Sequence, residues 1–213
     1  MVVTSGPRDG WAAVELTPET RSARLVEPER TMAGRSMDPK AYLWLDPAVV
    51  REMIESMRLR LTVLDPAHDA DYRKNAQACQ AEVDGVDTEM RDGLAKWKGA
   101  KVLAVRPVCG ALCARYGLML VTPVERPEEK TEEKLSPADF RAIKESAKKE
   151  GFKMLIVDAG VPAGVRQQIE EKTGLKTVTL DAVGSSAPDG HNTWAKVMRY
   201  DLEQLKKVLS AQP

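Results

Sequence analysis

The sequence has no long hydrophobic run, few aromatic residues and an odd, small number of cysteines. No stretch approaches the length of apolar residues that a membrane-spanning helix needs. Aromatic residues make up only 5%, which argues against a stacking platform for bases or sugars. Three cysteines do not form a disulfide framework. The N-terminal residues show neither the basic start nor the apolar core of a signal peptide, so we expect a cytosolic protein or an exported one without its export signal.

An excess of charge of either sign is also missing. Lysine plus arginine and aspartate plus glutamate number 32 each, and the isoelectric point is near 6.8. This balance gives no reason to expect nucleic acid or an anionic membrane as a partner. The hydrophobic share of 43% and the charged share of 30% are typical of a soluble globular protein.

Motifs of catalysis are absent as well. The sequence contains no phosphate-binding loop, no GxGxxG and no GxSxG. Its two histidines, His68 and His191, do not stand at the HExxH spacing and are more typical of surface or capping residues. Cys109 and Cys113 lie four apart on a predicted helix, where two small buried side chains are favoured over a bridge or a metal pair. We therefore predict that the protein is not an enzyme.

One long helix organises the chain. From His68 to Lys98 the apolar residues recur every three or four positions, which predicts a rod of about 46 Å with a single apolar stripe. We interpret it as an interlobe helix (residues 68–99) between a partial N-terminal lobe (1–67) and a C-terminal lobe (100–213). The alternative is an ordinary surface helix of one domain. The stripe comprises Tyr72, Ala76, Cys79, Val83, Val86, Met90, Leu94 and Trp97.

A shorter helix precedes the long one. Asp46 is a good N-cap and Pro47 fits the first helical position, while Asp65-Pro66 ends the helix. Upstream, residues 2–4 have the pattern of a strand. The apolar face of the helix is predicted to consist of Val50, Met53, Ile54, Met57, Leu61 and Leu64.

The C-terminal part alternates strands with helices. Strands are predicted at residues 101–105, 118–124, 153–157 and 176–180, and helices at 109–116, 136–149, 162–173 and 192–209; residues 125–135 form a charged, solvated loop. The pattern predicts an α/β fold whose C-terminal lobe is a four-stranded parallel sheet with helices on both faces, beside a partial N-terminal α/β lobe. Ligands bind such sheets at the carboxyl ends of the strands, which here are Arg106, Val124, Asp158 and Asp181.

The order of motifs resembles that of a known family. The chain is similar to the metal-specific solute-binding proteins of bacterial ABC transporters, which are zinc and manganese receptors with a TroA-like fold. The resemblance covers about residues 38–209 and rests on the order and spacing of the motifs together. These are LWLDP (43–47), LDPAHDADYRKNA (64–76), RPVCGALCARYGL (106–118), SPADFRAIKESAKKEGFKMLIVD (136–158), IEEKTGLKTVTLDAVG (169–184) and WAKVMRYDLEQLKKVL (194–209).

This resemblance implies two α/β lobes joined by a rigid helix, with Zn or Mn held in the cleft between them. It also implies a periplasmic or extracytoplasmic location and an ABC transporter permease as partner. Residues 1–67 resemble only the later part of the first lobe. The part that carries the family's first histidine ligand has no counterpart in this sequence. A half lobe is expected to leave apolar surface exposed, from which we predict a homodimer.

The positions that match the family's metal ligands depart from its pattern. Tyr42 and Arg106 stand where relatives have histidines, Asp158 stands where they have Glu or Asp, and Asp181 keeps the final Asp. A fixed cation disfavours a divalent metal, and an arginine can pair with carboxylates. We therefore expect no bound cofactor and an ion-pair cluster of Arg106 with Asp158 and Asp181, with the Tyr42 hydroxyl nearby. The alternative is drift at an unused site, without pairing.

Three functional hypotheses follow. The first is a solute-binding-protein-like module of a metal ABC transport system with a degenerate metal site. The second is a working receptor for Mn, Zn or Fe that uses Asp158 and Asp181, with Tyr42, Cys109 or His191. The third is an enzyme in which Arg106 binds an anionic substrate. The sequence argues against this hypothesis, because it shows no motif for a catalytic base, a nucleophile or a phosphate loop.

Overall fold

A computed structural model describes residues 42–124, 132–184 and 191–211. The strand predicted at residues 2–4 and most of the predicted charged loop lie outside these ranges. The helices and strands are α1 (Pro47–Leu64), α2 (Asp69–Leu94), β1 (Lys101–Leu103), α3 (Gly110–Arg115), β2 (Met119–Val121), α4 (Pro137–Glu150), β3 (Met154–Asp158), α5 (Ala163–Thr173), β4 (Lys176–Leu180) and α6 (Trp194–Ser210). Within the described ranges, no helix is both long and apolar enough to cross a membrane.

The four strands are all parallel and run in the order β2-β1-β3-β4. Strand β1 pairs with β2, and β3 pairs with β4. A single parallel bridge between Ala104 and Ile156 joins the two pairs, with the Val105 amide donating to the Ile156 carbonyl at 3.2 Å. The predicted α/β class is confirmed, although the sheet is held at its centre by this bridge alone and the strands β1 and β2 are shorter than predicted.

Helices cover both faces of the sheet because alternate strand residues point to opposite sides. On one side, Val102 and Ile156 join the apolar side chains of α2, α3 and α6 in the larger core. On the other, Leu103 and Leu155 join those of α4 and α5 in the smaller core. This layering directs the carboxyl ends of the strands to one edge.

Local chemistry fixes where the helices begin and end. The Asp46 carboxylate accepts the Ala48 amide at 2.9 Å, and Pro47 occupies the first position of α1. Ser136 and Asp139 form a capping box at the start of α4. Gly151 ends that helix with a φ of 79°, a conformation that glycine adopts without steric cost.

The long helix α2 is buried mainly in its second half. Val86 and Met90 are fully buried in the larger core, whereas Cys79 of the predicted stripe is exposed. Short 3-10 turns at Pro66–His68 and Ala95–Trp97 flank the helix, so the regular α-helix is shorter than predicted. Among the residues that the structure describes, the stripe therefore enters the larger core mainly through its C-terminal half.

Helix α1 packs against α2 through polar side chains. Arg51 pairs with Asp84, and the Thr62 hydroxyl donates to the Asp69 carboxylate at 2.7 Å. Arg58 lies 3.9 Å from the same Asp69. Of the predicted apolar face of α1, Val50 and Ile54 are partly buried, and four members are exposed in the described part of the chain: Met53, Met57, Leu61 and Leu64.

The segment before α1 is bound to the C-terminal part of the chain. Leu45 is 1% exposed and belongs to the larger core. The Trp44 indole donates to the Ala182 carbonyl, and the Trp194 indole donates to the Trp44 carbonyl at 2.7 Å. Residues that the sequence assigned to the first lobe are thus fixed against the second, while the lobe boundaries themselves stay predictions.

Candidate functional site

The carboxyl edge of the sheet carries the charged residues that the sequence singled out. Arg106 follows the bridge residue Ala104 by two positions, Asp158 is the last residue of β3, and Asp181 follows β4. Because the strands are parallel, all three residues lie at the same edge. This is the edge at which a ligand of an α/β sheet binds.

Arg106 is paired with a glutamate that the sequence did not predict. Its guanidinium lies 4.0 Å from the carboxylate of Glu132, and the Arg106 side chain is only 23% exposed. Its Nε atom is buried and has no hydrogen-bond partner among the residues that the structure describes. A permanent cation therefore stands, partly desolvated, at the carboxyl edge of the sheet.

Glu132 connects two of the strand ends. It is 4% exposed, and its Oε1 accepts the backbone amide of Asp158 at 3.3 Å. Its carboxylate thus spans the ends of β1 and β3. Composition gave no signal for this role, because Glu132 lies in a highly charged stretch whose average character is that of a solvated loop.

The predicted pairs of Arg106 with Asp158 and Asp181 do not occur in the described ranges. The Asp158 carboxylate accepts the Gly160 amide at 2.8 Å. The Asp158 carboxylate and one oxygen of Asp181 accept amides of their own turns, and Arg106 approaches Glu132 instead. The physical reason is that a short Asp side chain at the end of a strand reaches the amides of the next turn more easily than a guanidinium on a neighbouring strand.

Asp181 is the most highly coordinated acid of the edge. One oxygen accepts the amides of Val183 and Gly184 at 3.1 and 2.8 Å, and the other lies 3.2 Å from Nδ1 of His191. The imidazole of His191 stacks on Tyr200, with ring centroids 4.0 Å apart. Asp181 and His191 form the pair of potential metal ligands that the geometry brings together.

A second acid lies directly beneath Asp181. Asp201 of α6 is fully buried, and its Oδ1 accepts the Asp181 amide at 2.8 Å. Its Oδ2 has no hydrogen-bond partner in the described part of the chain. Burial, and then the charge of Asp181, raises the pKa of Asp201 well above its ordinary value. Sequence periodicity places Asp201 next to apolar residues of α6, which is the one signal that could have found it.

Tyr42 belongs to the wall of the larger core. Its ring meets that of Trp44 edge to face, with centroids 5.6 Å apart. Its φ of 60° lies in the left-handed region, which is uncommon for a residue with a bulky side chain. The contacts described here bring Tyr42 to Trp44 and to the core, and none of them joins it to Arg106.

The two cysteines of α3 are core residues. Cys109 and Cys113 are both fully buried, with their sulfurs 3.7 Å apart. The contact with Cys113, and then burial, raises the pKa of the Cys109 thiol. This agrees with the sequence-based preference for two small buried side chains.

The donor set at the edge fits a divalent metal poorly. In the residues that the structure describes, no group of three or more His, Cys, Asp or Glu side chains is arranged to hold a metal ion. Asp181 and His191 supply two donors, while the Arg106 position supplies a cation. Two donors fall short of the four ligands typical of a closed zinc site.

Comparison with known proteins identifies the family. A family model described as the periplasmic component A of a zinc-uptake complex, ZnuA, matches residues 4–208. The chain belongs to the ZnuA family.

Among curated relatives, the high-affinity zinc uptake system protein ZnuA of Brucella suis is 22% identical over 169 residues, which is 79% of this chain and 50% of the relative. ZnuA of Brucella abortus gives a similar match over 168 residues. The chain spans about half the length of the curated ZnuA proteins it matches.

Solved structures share the ZnuA-type fold. Zn(II)-bound AdcA from Streptococcus pneumoniae superposes with a TM-score of 0.72 at 20% identity, covering 91% of this chain and 41% of that one. The laminin-binding protein Lmb of Streptococcus agalactiae gives a TM-score of 0.66 at 26% identity, covering 81% and 65%. A crystal structure of ZnuA gives 0.68 at 18% identity, covering 87% and 68%. The resemblance predicted from the motifs is thereby confirmed at the level of fold and family.

Proposed function

We propose that this protein is a solute-binding-protein-like component of a metal ABC transport system in which the family's metal site is degenerate. The observation that carries the proposal is the Arg106–Glu132 pair at the carboxyl edge of the sheet. We further propose that the protein acts outside the cytoplasm beside an ABC transporter permease, without enzymatic activity and without nucleic acid.

The electrostatics of the edge support this proposal. A divalent metal at the position of the family's ligands would meet the guanidinium of Arg106, which stays charged at every physiological pH. Glu132 offsets that charge, yet it is already engaged by Arg106 and by the Asp158 amide. A metal would have to displace one of these contacts and leave a buried group without its partner, which costs free energy.

A second candidate function is a working receptor for Mn, Zn or Fe with unusual ligands. The 3.2 Å contact between Asp181 and His191 favours it, since imidazole and carboxylate suit all three metals. This alternative needs further donors, such as Asp158 or Tyr42, to move toward that pair. Cys109 is a poor candidate because it is fully buried in the larger core.

The deciding experiment is metal analysis of the purified protein, with thermal unfolding in the presence of Zn²⁺, Mn²⁺ or EDTA. We expect sub-stoichiometric metal and no stabilisation by either ion. A ligand at about 100 times its dissociation constant stabilises the folded state by about 2.7 kcal/mol, which thermal unfolding detects easily. Stoichiometric metal with such a stabilisation, lost in Asp181→Ala and His191→Ala but retained in Lys74→Ala, would establish the receptor instead.

A homodimer is a further proposed state of the protein. The exposed apolar face of α1 supports it, because contiguous apolar surface of this kind marks interaction sites. Light scattering on the purified chain measures the mass directly, and a monomer at all concentrations tested would remove the dimer from the proposal.

A further inference from the structure

A groove lies at the edge of the sheet opposite to Arg106, Asp158 and Asp181. It is bounded by the last turns of α4, by the connection from Gly151 to Lys153 and by the end of α5, and it has a volume of about 640 Å³. Strand β3 begins beside it at Met154 and ends at Asp158. Five residues of strand separate the two edges by about 16 Å, so the groove is a separate surface from the candidate metal site.

The floor of the groove is apolar. Ala147, Phe152 and Leu175 line it and are buried to 5, 5 and 7% exposure, and the buried Thr173 completes it. These side chains belong to, or adjoin, the smaller core, so they are held in place by packing on α4 and α5. The floor is therefore a fixed apolar surface rather than one that forms only when a ligand arrives.

The rim of the groove is strongly basic. Arg141, Lys144, Lys148 and Lys153 line it and are exposed, against the single acid Glu145. The first three recur at steps of three and four along α4, which places them on one face of that helix. Within the described ranges none of the four cations has an ion-pair partner. The rim thus carries a net charge of +3 in a chain whose net charge is zero, since four cations minus one acid leave three.

We propose that this groove binds an acidic segment of a partner protein, and that the segment inserts an apolar side chain onto the floor formed by Ala147, Phe152 and Leu175. Unpaired cations converging on a concavity raise the local concentration of an acidic partner and favour its carboxylates. Charge attraction alone would not require an apolar floor, so the floor indicates that the ligand also carries an apolar side chain. A concave site of this size accommodates a short peptide, whereas a flat bilayer cannot reach its floor, so the observations favour a peptide over an anionic lipid surface.

Peptide binding in the groove does not require that the candidate metal site be either occupied or empty. The groove and the candidate metal site share no residue, and a protein with or without bound metal presents the same rim. The partner is defined only by its chemistry: glutamate or aspartate residues flanking one exposed leucine, phenylalanine or similar side chain.

The test is fluorescence anisotropy of the full chain with a labelled peptide of glutamates around one central leucine. An all-glutamate peptide of equal charge and a peptide of lysines around leucine serve as comparisons. We expect the leucine-bearing acidic peptide to bind about tenfold more tightly than the all-glutamate peptide, because only the former uses the floor. We expect the lysine peptide not to bind.

Two variants locate the binding. The double charge reversal Lys144→Glu with Lys148→Glu should weaken binding by about tenfold or more, whereas Lys74→Glu with Lys196→Glu, which reverses two exposed charges on α2 and α6, should leave it nearly unchanged. Far-UV circular dichroism and thermal unfolding check that both variants fold. Equal loss in the two variants, equal affinity for the two acidic peptides, or no binding of either would each overturn the proposal. Binding to phosphatidylglycerol vesicles without peptide binding would overturn it in favour of a lipid surface.

Discussion

The phenolic hydroxyl of Tyr116 donates a hydrogen bond of 2.9 Å to the carboxylate of Asp87 and joins the end of α3 to the long helix α2. The same carboxylate accepts from Arg115 at 2.6 Å and from Arg91 at 2.7 Å. Asp87 is only 8% exposed although it is charged. Arg91 lies on α2 itself, so Arg115 and Tyr116 are the two donors that join α2 to α3 through this buried acid.

Replacing that acid should destabilise the fold. We expect Asp87→Asn to lower the free energy of unfolding by about 2 kcal/mol, because two arginines lose the charge that compensates them. Urea unfolding followed by circular dichroism measures the change. Asp92→Asn, an exposed position on the same helix, is the matched control and should change stability by less than about 0.5 kcal/mol. Equal values for the two variants would show that the Asp87 contacts carry no net stability.

The Asp87 contribution should depend on pH. Burial alone raises the pKa of Asp87, but the hydrogen bonds from Arg115 and Tyr116 and the charges of Arg115 and Arg91 outweigh it, and the pKa in the folded protein lies below its ordinary value. The stability it supplies is therefore complete above the unfolded pKa of about 3.9 and is lost as the pH falls through the folded pKa. The difference in unfolding free energy between wild type and Asp87→Asn should stay constant from about pH 7 to 5 and shrink below about pH 4. A difference that grows on acidification would contradict the assignment.

Asp201 should show the opposite dependence on pH. Its pKa is raised in the folded protein, so the folded state binds a proton that the unfolded state has released, and stability falls as the pH rises above the unfolded value of about 3.9. Asp201→Asn keeps an oxygen for the Asp181 amide and removes the charge. We expect it to be more stable than wild type near neutral pH, by a margin that widens between about pH 4 and 7. Thermal unfolding across this range checks the trend, with the exposed Glu203→Gln on the same helix as control.

The pair of Arg106 and Glu132 should be energetically coupled. A double-mutant cycle with Arg106→Met and Glu132→Gln separates their interaction from their individual roles. We expect a coupling of about 1 kcal/mol, since the carboxylate is buried and the guanidinium is largely so. Urea unfolding of the four proteins supplies the cycle. If the changes in unfolding free energy of the two single variants simply add, the 4.0 Å approach of Arg106 to Glu132 contributes no stability. The proposal of a degenerate metal site would then lose its main support.

The exposed face of α1 should govern self-association. Met57→Lys with Leu61→Lys places two charges on that face, and we expect it to abolish the proposed dimer in light scattering because burying two ammonium groups is costly. Glu52→Lys reverses a charge on another side of α1 and should leave the mass unchanged. A dimer that survives the double substitution would place the interface elsewhere.

Much of the architecture could be predicted from the sequence. The alternation of apolar runs and amphipathic segments predicted the order of strands and helices, and β4 was predicted with the observed ends, Lys176 and Leu180. Asp46, Ser136 and Gly151 marked helix ends because capping chemistry is local. Such features depend on neighbours within one or two turns, which the sequence lists directly.

The contacts of the site could not be predicted in the same way. Glu132 becomes buried only because Arg106 and the Asp158 amide, both 26 residues away, meet it in space. The apolar pattern of α1 predicted a helix correctly but gave no signal for the polar contacts of Arg51 and Thr62 with α2. Charge and periodicity describe average environments, whereas these contacts depend on particular tertiary partners.

The hydrogen bonds of Trp44 have a consequence for the order in which the chain acquires its structure. They link Trp44 to Ala182, 138 positions later, and to Trp194, 150 positions later. On a ribosome adding about 5–20 residues per second, Trp44 therefore waits on the order of ten seconds before its partners exist. The segment before α1 must therefore be among the last parts of the protein to reach its folded position. A chain that ends before α6 lacks Trp194 and cannot form the hydrogen bond to the Trp44 carbonyl.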